Sequence, residues 1–151
     1  MIDLYRMKNK QFIIDTICVL FIILFIYTAT SKIFDYGNFK AQLGRSPLLA
    51  RFWNWIWLVP TIEIGVSLLL PFPNTRLLGL YASFCLMTMF TVYIFTILRF
   101  GEFIPCSCGG VLQKMTWPQH MWFNIVFILI ALTGIILQSQ KSNTKKTILL
   151  Q

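Results

Sequence analysis

Charged side chains are scarce in this sequence. They make up 12% of its 151 residues, whereas soluble domains carry about 25%. Hydrophobic residues make up 57%, and they occur in long blocks rather than at the regular spacing of an amphipathic helix or strand. The shortage of charge excludes an ordinary soluble domain, and the blocks indicate a protein whose solvent is lipid.

Acidic residues are especially few. Five Asp and Glu residues stand against 13 Lys and Arg residues, which gives a net charge of +8. The basic residues lie in the short segments between the apolar blocks, where they anchor helix ends and face anionic lipid headgroups. Because no nucleic-acid-binding motif accompanies them, we expect the lipid bilayer, and no nucleic acid, as the partner of this charge.

Four apolar blocks are long enough to cross a bilayer. Helices of these lengths span roughly 26–33 Å at about 1.5 Å per residue, which matches a hydrocarbon core of about 30 Å. Backbone inside that core must satisfy its own hydrogen bonds, so each block is predicted to be helical, and the polar tail from Ser139 is predicted to be disordered. The sequence therefore predicts an all-α fold, a polytopic membrane four-helix bundle that forms a single domain over residues 1–151, with helices at about 13–31, 52–70, 77–98 and 121–137.

Basic residues before the first block set the predicted orientation. Arg6, Lys8 and Lys10 precede it, and positive charge before the first helix favours a cytoplasmic N-terminus. The block is long for the hydrophobic region of a signal peptide, and no clear cleavage site follows it. We therefore expect a multi-pass protein of the bacterial inner (cell) membrane with both termini cytoplasmic, which leaves the first and third connections at the periplasmic face.

The four cysteines fall into two kinds of position. Cys18 and Cys85 lie inside apolar blocks, where a thiol acts as a small hydrophobic side chain. Cys106 and Cys108 lie in the third connection, between Pro105 and two glycines. On an oxidising face such a pair can form a disulfide, and a tight, exposed ring of this kind is reducible and exchanges readily. We interpret the pair as redox-active.

Two other interpretations of this pair stay open. It could be an inert staple, or two reduced thiols in a turn, and a C-x-C pair is a weaker redox signal than C-x-x-C. It could also bind a metal together with His120, with or without Met115, because such soft ligands suit copper(I) or zinc.

Two ionisable residues complete the predicted site. His120, the only histidine, begins the fourth block with Asn124 one turn further on the same face, and it could shuttle a proton for the thiols. Glu63 lies near the middle of the second block, where an acid is costly and usually functional. The alternatives are an interfacial histidine bonded to the connection, and a structural hydrogen bond from Glu63 to a neighbouring helix. Lys32, at the outer end of the first block, is a distant candidate partner for Glu63.

These residues give the chain a family resemblance over most of its length. It resembles the MauE/DoxX-like membrane proteins, and the MauE family most closely. The resemblance rests on the segment Ser31-Lys32-Ile33-Phe34-Asp35-Tyr36 through Phe39, on Glu63-Ile64-Gly65, and most specifically on Cys106-Ser107-Cys108-Gly109-Gly110-Val111-Leu112 leading to Trp117, His120 and Asn124.

The resemblance implies a redox-associated inner-membrane protein. MauE acts in maturation of the disulfide-rich small subunit of methylamine dehydrogenase, beside a thioredoxin-like periplasmic partner, and DoxX relatives are tied to thiosulfate and quinone chemistry. For this chain the resemblance implies redox chemistry at the membrane. The sequence itself contains no sign of methylamine as a substrate.

We therefore expect a membrane thiol–disulfide redox protein, a candidate oxidoreductase. Cys106 and Cys108 would exchange electrons with a periplasmic thioredoxin-like partner or thiol substrate, and a membrane quinone near the tryptophan-rich outer layer would be the electron acceptor. His120 and Glu63 would handle protons. The first alternative is a non-enzymatic membrane subunit or assembly factor that docks a partner through the Cys segment, and the second is copper or zinc handling by that segment.

Overall fold

The fold is a bundle of helices. The structure, a computed structural model, describes residues 2–37, 57–100 and 116–149. These residues contain no strand, and the predicted all-α four-helix fold is confirmed. The helices are α1 (Ile2–Phe34), α2 (Leu58–Leu69), α3 (Arg76–Phe100) and α4 (Trp117–Leu149).

Three of the helices are long and apolar enough to cross a membrane. The candidate spans are Lys8–Phe34, Arg76–Thr96 and Pro118–Lys141. The fourth helix, α2, has 12 residues, which is about 18 Å against a hydrocarbon core of about 30 Å. The predicted block at 52–70 begins in residues outside the described part of the chain. The chain is thus a membrane protein of at least three spans with one shorter apolar helix beside them.

α1 and α4 are longer than their apolar blocks. Each has 33 residues, so each is about 50 Å long. The two polar ends contact each other: Lys10 Nζ donates to Gln140 Oε1 at 3.1 Å, and Lys141 Nζ donates to Gln11 Oε1. The predicted disorder of the tail from Ser139 is therefore wrong as far as residue 149, where α4 ends. This part of the chain is helical, and its Gln140 and Lys141 contact the N-terminal part of α1.

A tight turn joins α2 to α3. Pro71 and Pro73 cannot continue α2, which ends at Leu69. Arg76 then binds this end of the bundle through three groups: Nε donates to the Leu70 carbonyl at 3.2 Å, Nη2 donates to the Pro71 carbonyl at 3.4 Å, and Nη1 forms an ion pair with Asp15 of α1 at 2.7 Å. The guanidinium satisfies carbonyls that the end of a helix leaves unpaired.

The helices pack in a closed ring, in which α1 and α3 each contact both α2 and α4. Aromatic and aliphatic side chains fill the centre, and Phe21 of α1 meets Phe127 of α4 edge to face with ring centroids 5.5 Å apart. α4 approaches its neighbours closely at Gly134, where an added Cβ would lie 3.2 Å from both Ile17 of α1 and Leu80 of α3. Among the described residues, a cleft opens near the end where α1 and α3 finish.

Candidate functional site

A cleft lies near the end of the bundle where α1 and α3 finish and α2 and α4 begin. It encloses about 500 Å³, including its open mouth, and all four helices contribute to its walls. Most of the lining is apolar, and four aromatic rings form a large part of it. The aromatic residues are Phe25, Phe90, Tyr93 and Phe123. Besides the Tyr93 hydroxyl, the polar groups of the lining belong to Thr28, Lys32, Glu63, His120 and Asn124.

Lys32 and Glu63 form an ion pair inside this cleft. Lys32 Nζ lies 2.5 Å from Glu63 Oε1, and the two side chains are 8% and 0% exposed. The expectation that Lys32 is a distant partner is wrong. The reason is that Lys32 is in the last turn of α1 and Glu63 is in the second turn of the described α2, and these two turns lie at the same end of the bundle.

The ammonium group has a second stabilising neighbour. Lys32 Nζ lies 5.3 Å from the centroid of the Phe90 ring of α3, within the range of a cation–π interaction. Lys32 thus bridges α2 and α3 from the end of α1. A charge can be buried at this depth because a carboxylate on one side and a ring face on the other replace its water.

Two polar atoms in the cleft have no hydrogen-bond partner among the described residues: Glu63 Oε2 and Asn124 Nδ2. Thr28 also lies beside the Glu63 carboxylate, but its hydroxyl donates to the Phe25 carbonyl at 3.2 Å. Glu63 is 0% and Asn124 3% exposed. Buried polar groups nearly always have a partner, so these two atoms mark a place where a ligand or water can bind.

His120 lies in the first turns of α4 and lines the same cleft, half-buried. The backbone N–H of His120 donates to the Thr116 carbonyl at 3.0 Å, at the start of α4. Asn124 follows one turn later, on the same face of the helix. The structure therefore brings Glu63, His120 and Asn124 together with Lys32, although they come from three different helices.

Cys106 and Cys108 lie outside the described residues. They belong to the segment that joins the end of α3 to the start of α4, so both ends of that segment are at the cleft end of the bundle. Cys18 is buried and free, and Cys85 is exposed and free. Within the described ranges no group of three His, Cys, Asp or Glu residues could hold a metal, and the copper or zinc set suggested by the sequence includes the two cysteines beyond those ranges.

The aromatic wall of the cleft was missed by sequence reasoning. Phe90 and Tyr93 are part of an apolar block, and nothing in the spacing of that block marks them. A signal did exist for the ion pair, since Lys32 and Glu63 are a base and an acid in adjacent apolar helices, and each is costly in lipid without the other.

Comparison with known proteins identifies a family. No curated protein and no solved structure matches the chain significantly. The model of one family, methylamine utilisation protein MauE, matches residues 10–137. That range holds the whole cleft and both cysteines of the third connection. The chain therefore belongs to the MauE family.

Proposed function

We propose that this protein exchanges electrons by thiol–disulfide chemistry between a periplasmic thiol protein and the membrane. One observation carries the proposal: Lys32, Glu63, His120 and Asn124 converge in a cleft at the end of the bundle from which the Cys106–Cys108 segment leaves. Groups that can transfer protons and a pair of thiols are thus available at one end of the molecule. Family membership supports a role in protein maturation at a membrane.

The proposed exchange starts from the Cys106–Cys108 disulfide. A thiolate of the partner attacks one sulfur, which forms a mixed disulfide and releases the other cysteine as a thiol. The partner's second thiol then displaces the bound cysteine. The partner becomes oxidised to a disulfide, and Cys106 and Cys108 become two thiols, with two electrons and two protons transferred.

A membrane quinone is the proposed oxidant of the two thiols. It would take two electrons and two protons and leave as a quinol, while Cys106 and Cys108 return to a disulfide. Proton transfer on this route would use His120, whose imidazole ring can both accept and donate a proton, and Glu63 deeper in the cleft. Lys32 would hold the Glu63 carboxylate in place.

The physiological partner in this proposal is a thioredoxin-like periplasmic protein, or a secreted protein that needs disulfides. This assignment places the cleft end of the bundle at the periplasmic face of the inner membrane and both termini in the cytoplasm. It follows from the basic residues Arg6, Lys8 and Lys10 in the N-terminal part of α1 and from the family's link to maturation in methylamine utilisation.

Alkylation-shift electrophoresis tests the proposal. Membranes are treated with a thiol-reactive mass tag before and after reductant, for the wild type and for each single Cys→Ser variant. We expect Cys106 and Cys108 to be protected until reduction. In Cys106→Ser and Cys108→Ser, the remaining thiol should attack the disulfide of the oxidised partner and stay joined to it in a mixed disulfide, because the second thiol that would complete the exchange is missing.

Cys18→Ser and Cys85→Ser are the matched controls, since these thiols lie within α1 and α3. They should trap nothing. A Cys106–Cys108 pair that stays reduced on the oxidising face, with no trapped partner in either variant, would overturn the redox proposal. Full activity of the Cys106→Ser/Cys108→Ser variant would instead indicate a docking subunit, and copper or zinc that purifies with the protein only when both thiols are present would indicate metal handling.

A further inference from the structure

The cleft has the properties of a binding site for a small amphiphilic molecule. Its walls are mainly apolar and come from all four helices, and the space between the helices of a bundle is a usual place for a small-molecule site. Sites of this kind carry a few placed polar groups among apolar walls. Here those groups are Glu63 and Asn124, each with an unpartnered buried atom.

The two unpartnered atoms specify complementary hydrogen bonds. Glu63 Oε1 already pairs with Lys32 at 2.5 Å, which leaves Oε2 as an acceptor that needs a donor. Asn124 Nδ2 is a donor that needs an acceptor. A ligand that satisfies both must therefore present a hydrogen-bond donor, such as a hydroxyl, to Glu63 and an acceptor, such as an oxygen, to Asn124.

The remaining walls favour a planar ring. Phe25, Phe90, Tyr93 and Phe123 all line the cleft, and aromatic side chains stack on or meet ring edges of similar molecules. The polar groups come from the outer turns of α1, α2 and α4, so the polar end of a ligand would lie near the membrane surface while its apolar part stays within the bundle or the lipid.

We infer that the cleft binds the head group of a quinol, the product of the proposed oxidation of the two thiols. A quinol hydroxyl donates to Glu63 Oε2, and an oxygen of the head group accepts from Asn124 Nδ2. The choice of a quinol among phenolic amphiphiles rests on the proposed function, which needs an oxidant that takes two electrons and two protons from two thiols. The site itself consists only of residues of the four helices.

Binding of decylubiquinol to the full-length protein tests this inference. The protein is purified in quinone-free nanodiscs, incubated with decylubiquinol under anaerobic conditions, and separated from free quinol. Bound quinol is then extracted and quantified against empty nanodiscs. We expect saturable binding by the wild type, and an approximately tenfold weaker affinity for Asn124→Leu, since one hydrogen bond is worth about one factor of ten.

The chain offers a matched control for that substitution. Gln138 also lies on α4 and has a buried, unpartnered oxygen, but it does not line the cleft. Gln138→Leu should bind like the wild type. Leu24→Trp fills the cleft without removing a polar group and should abolish binding, which keeps the test valid if Asn124→Leu folds poorly.

The Cys106→Ser/Cys108→Ser variant separates this inference from the proposed function. It should bind decylubiquinol with unchanged affinity, because the binding groups are on the helices. Quinol binding by the wild type and by this variant, together with a wild-type Cys106–Cys108 pair that stays reduced in the alkylation test, would support the site and contradict the redox role. No binding above that of empty nanodiscs, or equal affinity in the wild type, Asn124→Leu and Leu24→Trp, would overturn the site and leave ordered water as the partner of Glu63 and Asn124.

Discussion

The buried ion pair between Lys32 and Glu63 is the most consequential side-chain contact of the described structure. Its two atoms are 2.5 Å apart and the carboxylate is fully buried. Such a pair adds little net stability, because desolvation of the two charges offsets their attraction. The loss of one member alone is costly, since an uncompensated charge stays behind in an apolar site. The pair therefore ties the end of α1 to α2 and fixes the position of the carboxylate in the cleft.

A double-mutant cycle tests this account. Lys32→Leu and Glu63→Leu should each lower the free energy of unfolding by about 3–5 kcal/mol, whereas the double variant should recover most of that loss. The measurement is reversible denaturant unfolding in mixed micelles, followed by circular dichroism. Additive losses in the double variant would show that the two side chains act independently.

Asp15 provides the control for that cycle. It also forms an ion pair, with Arg76 at 2.7 Å, but its side chain is 47% exposed. Arg76 is buried but keeps its bonds to the Leu70 and Pro71 carbonyls when Asp15 is changed, so Asp15→Asn should lower the free energy of unfolding by less than Glu63→Leu does. A loss as large as that of Glu63→Leu would mean that burial does not explain the difference.

At the scale of helices, close approach at Gly134 holds α4 against two neighbours. An added Cβ would meet Ile17 of α1 and Leu80 of α3, each at 3.2 Å. Small residues at such positions allow helix backbones to come together in a membrane, where packing rather than water drives association. This contact lies toward the middle of the bundle, below the cleft, and it sets the spacing of α1, α3 and α4 on which the cleft depends.

Enlarging this glycine should force the helices apart. Gly134→Leu should lower the free energy of unfolding by about 1–3 kcal/mol, the usual cost of overpacking. The matched substitution is Gly65→Leu in α2, where a Cβ would meet nothing within 4 Å, and which should be neutral or slightly stabilising because glycine is a poor helix former. Thermal unfolding of both variants in the same detergent measures the difference, and equal behaviour of the two would contradict the packing role of Gly134.

At the scale of the whole molecule, the two ends of the bundle differ in chemistry. One end holds the cleft and both ends of the Cys106–Cys108 segment. At the other end, polar side chains of α1 and α4 bond to one another through Lys10, Gln11, Gln140 and Lys141. The basic residues before the first span favour this second end as the cytoplasmic one.

Cysteine labelling in intact cells tests that orientation. We expect a membrane-impermeant maleimide to label reduced Cys106 and Cys108 from the outside, and to leave Lys145→Cys unlabelled until the cells are lysed. Cys106 and Cys108 are labelled in the Cys18→Ser/Cys85→Ser background, and Lys145→Cys is labelled in a background in which all four native cysteines are serine, so that no other thiol contributes. Labelling of Lys145→Cys without lysis, with Cys106 and Cys108 protected, would invert the topology.

The sequence by itself determined the fold class and the positions of the apolar helices. Backbone in lipid has to bond within its own helix, so hydropathy is enough to predict α1, α3 and α4. The Cys106–Cys108 motif and the family resemblance were also readable without coordinates, because they depend on residue identity alone. The interpretation of that motif as redox-active still rests on the sequence.

Only the tertiary structure decided which polar groups meet. Lys32 and Glu63 are 31 positions apart, and their contact depends on how α1 and α2 pack against each other, which hydropathy does not show. The helical continuation of α4 past Ser139 likewise depends on partners in α1 that are 130 positions away. Local composition predicts helices well because their bonds are local, whereas the cleft is formed by side chains from four helices, and its geometry exists only once those helices pack.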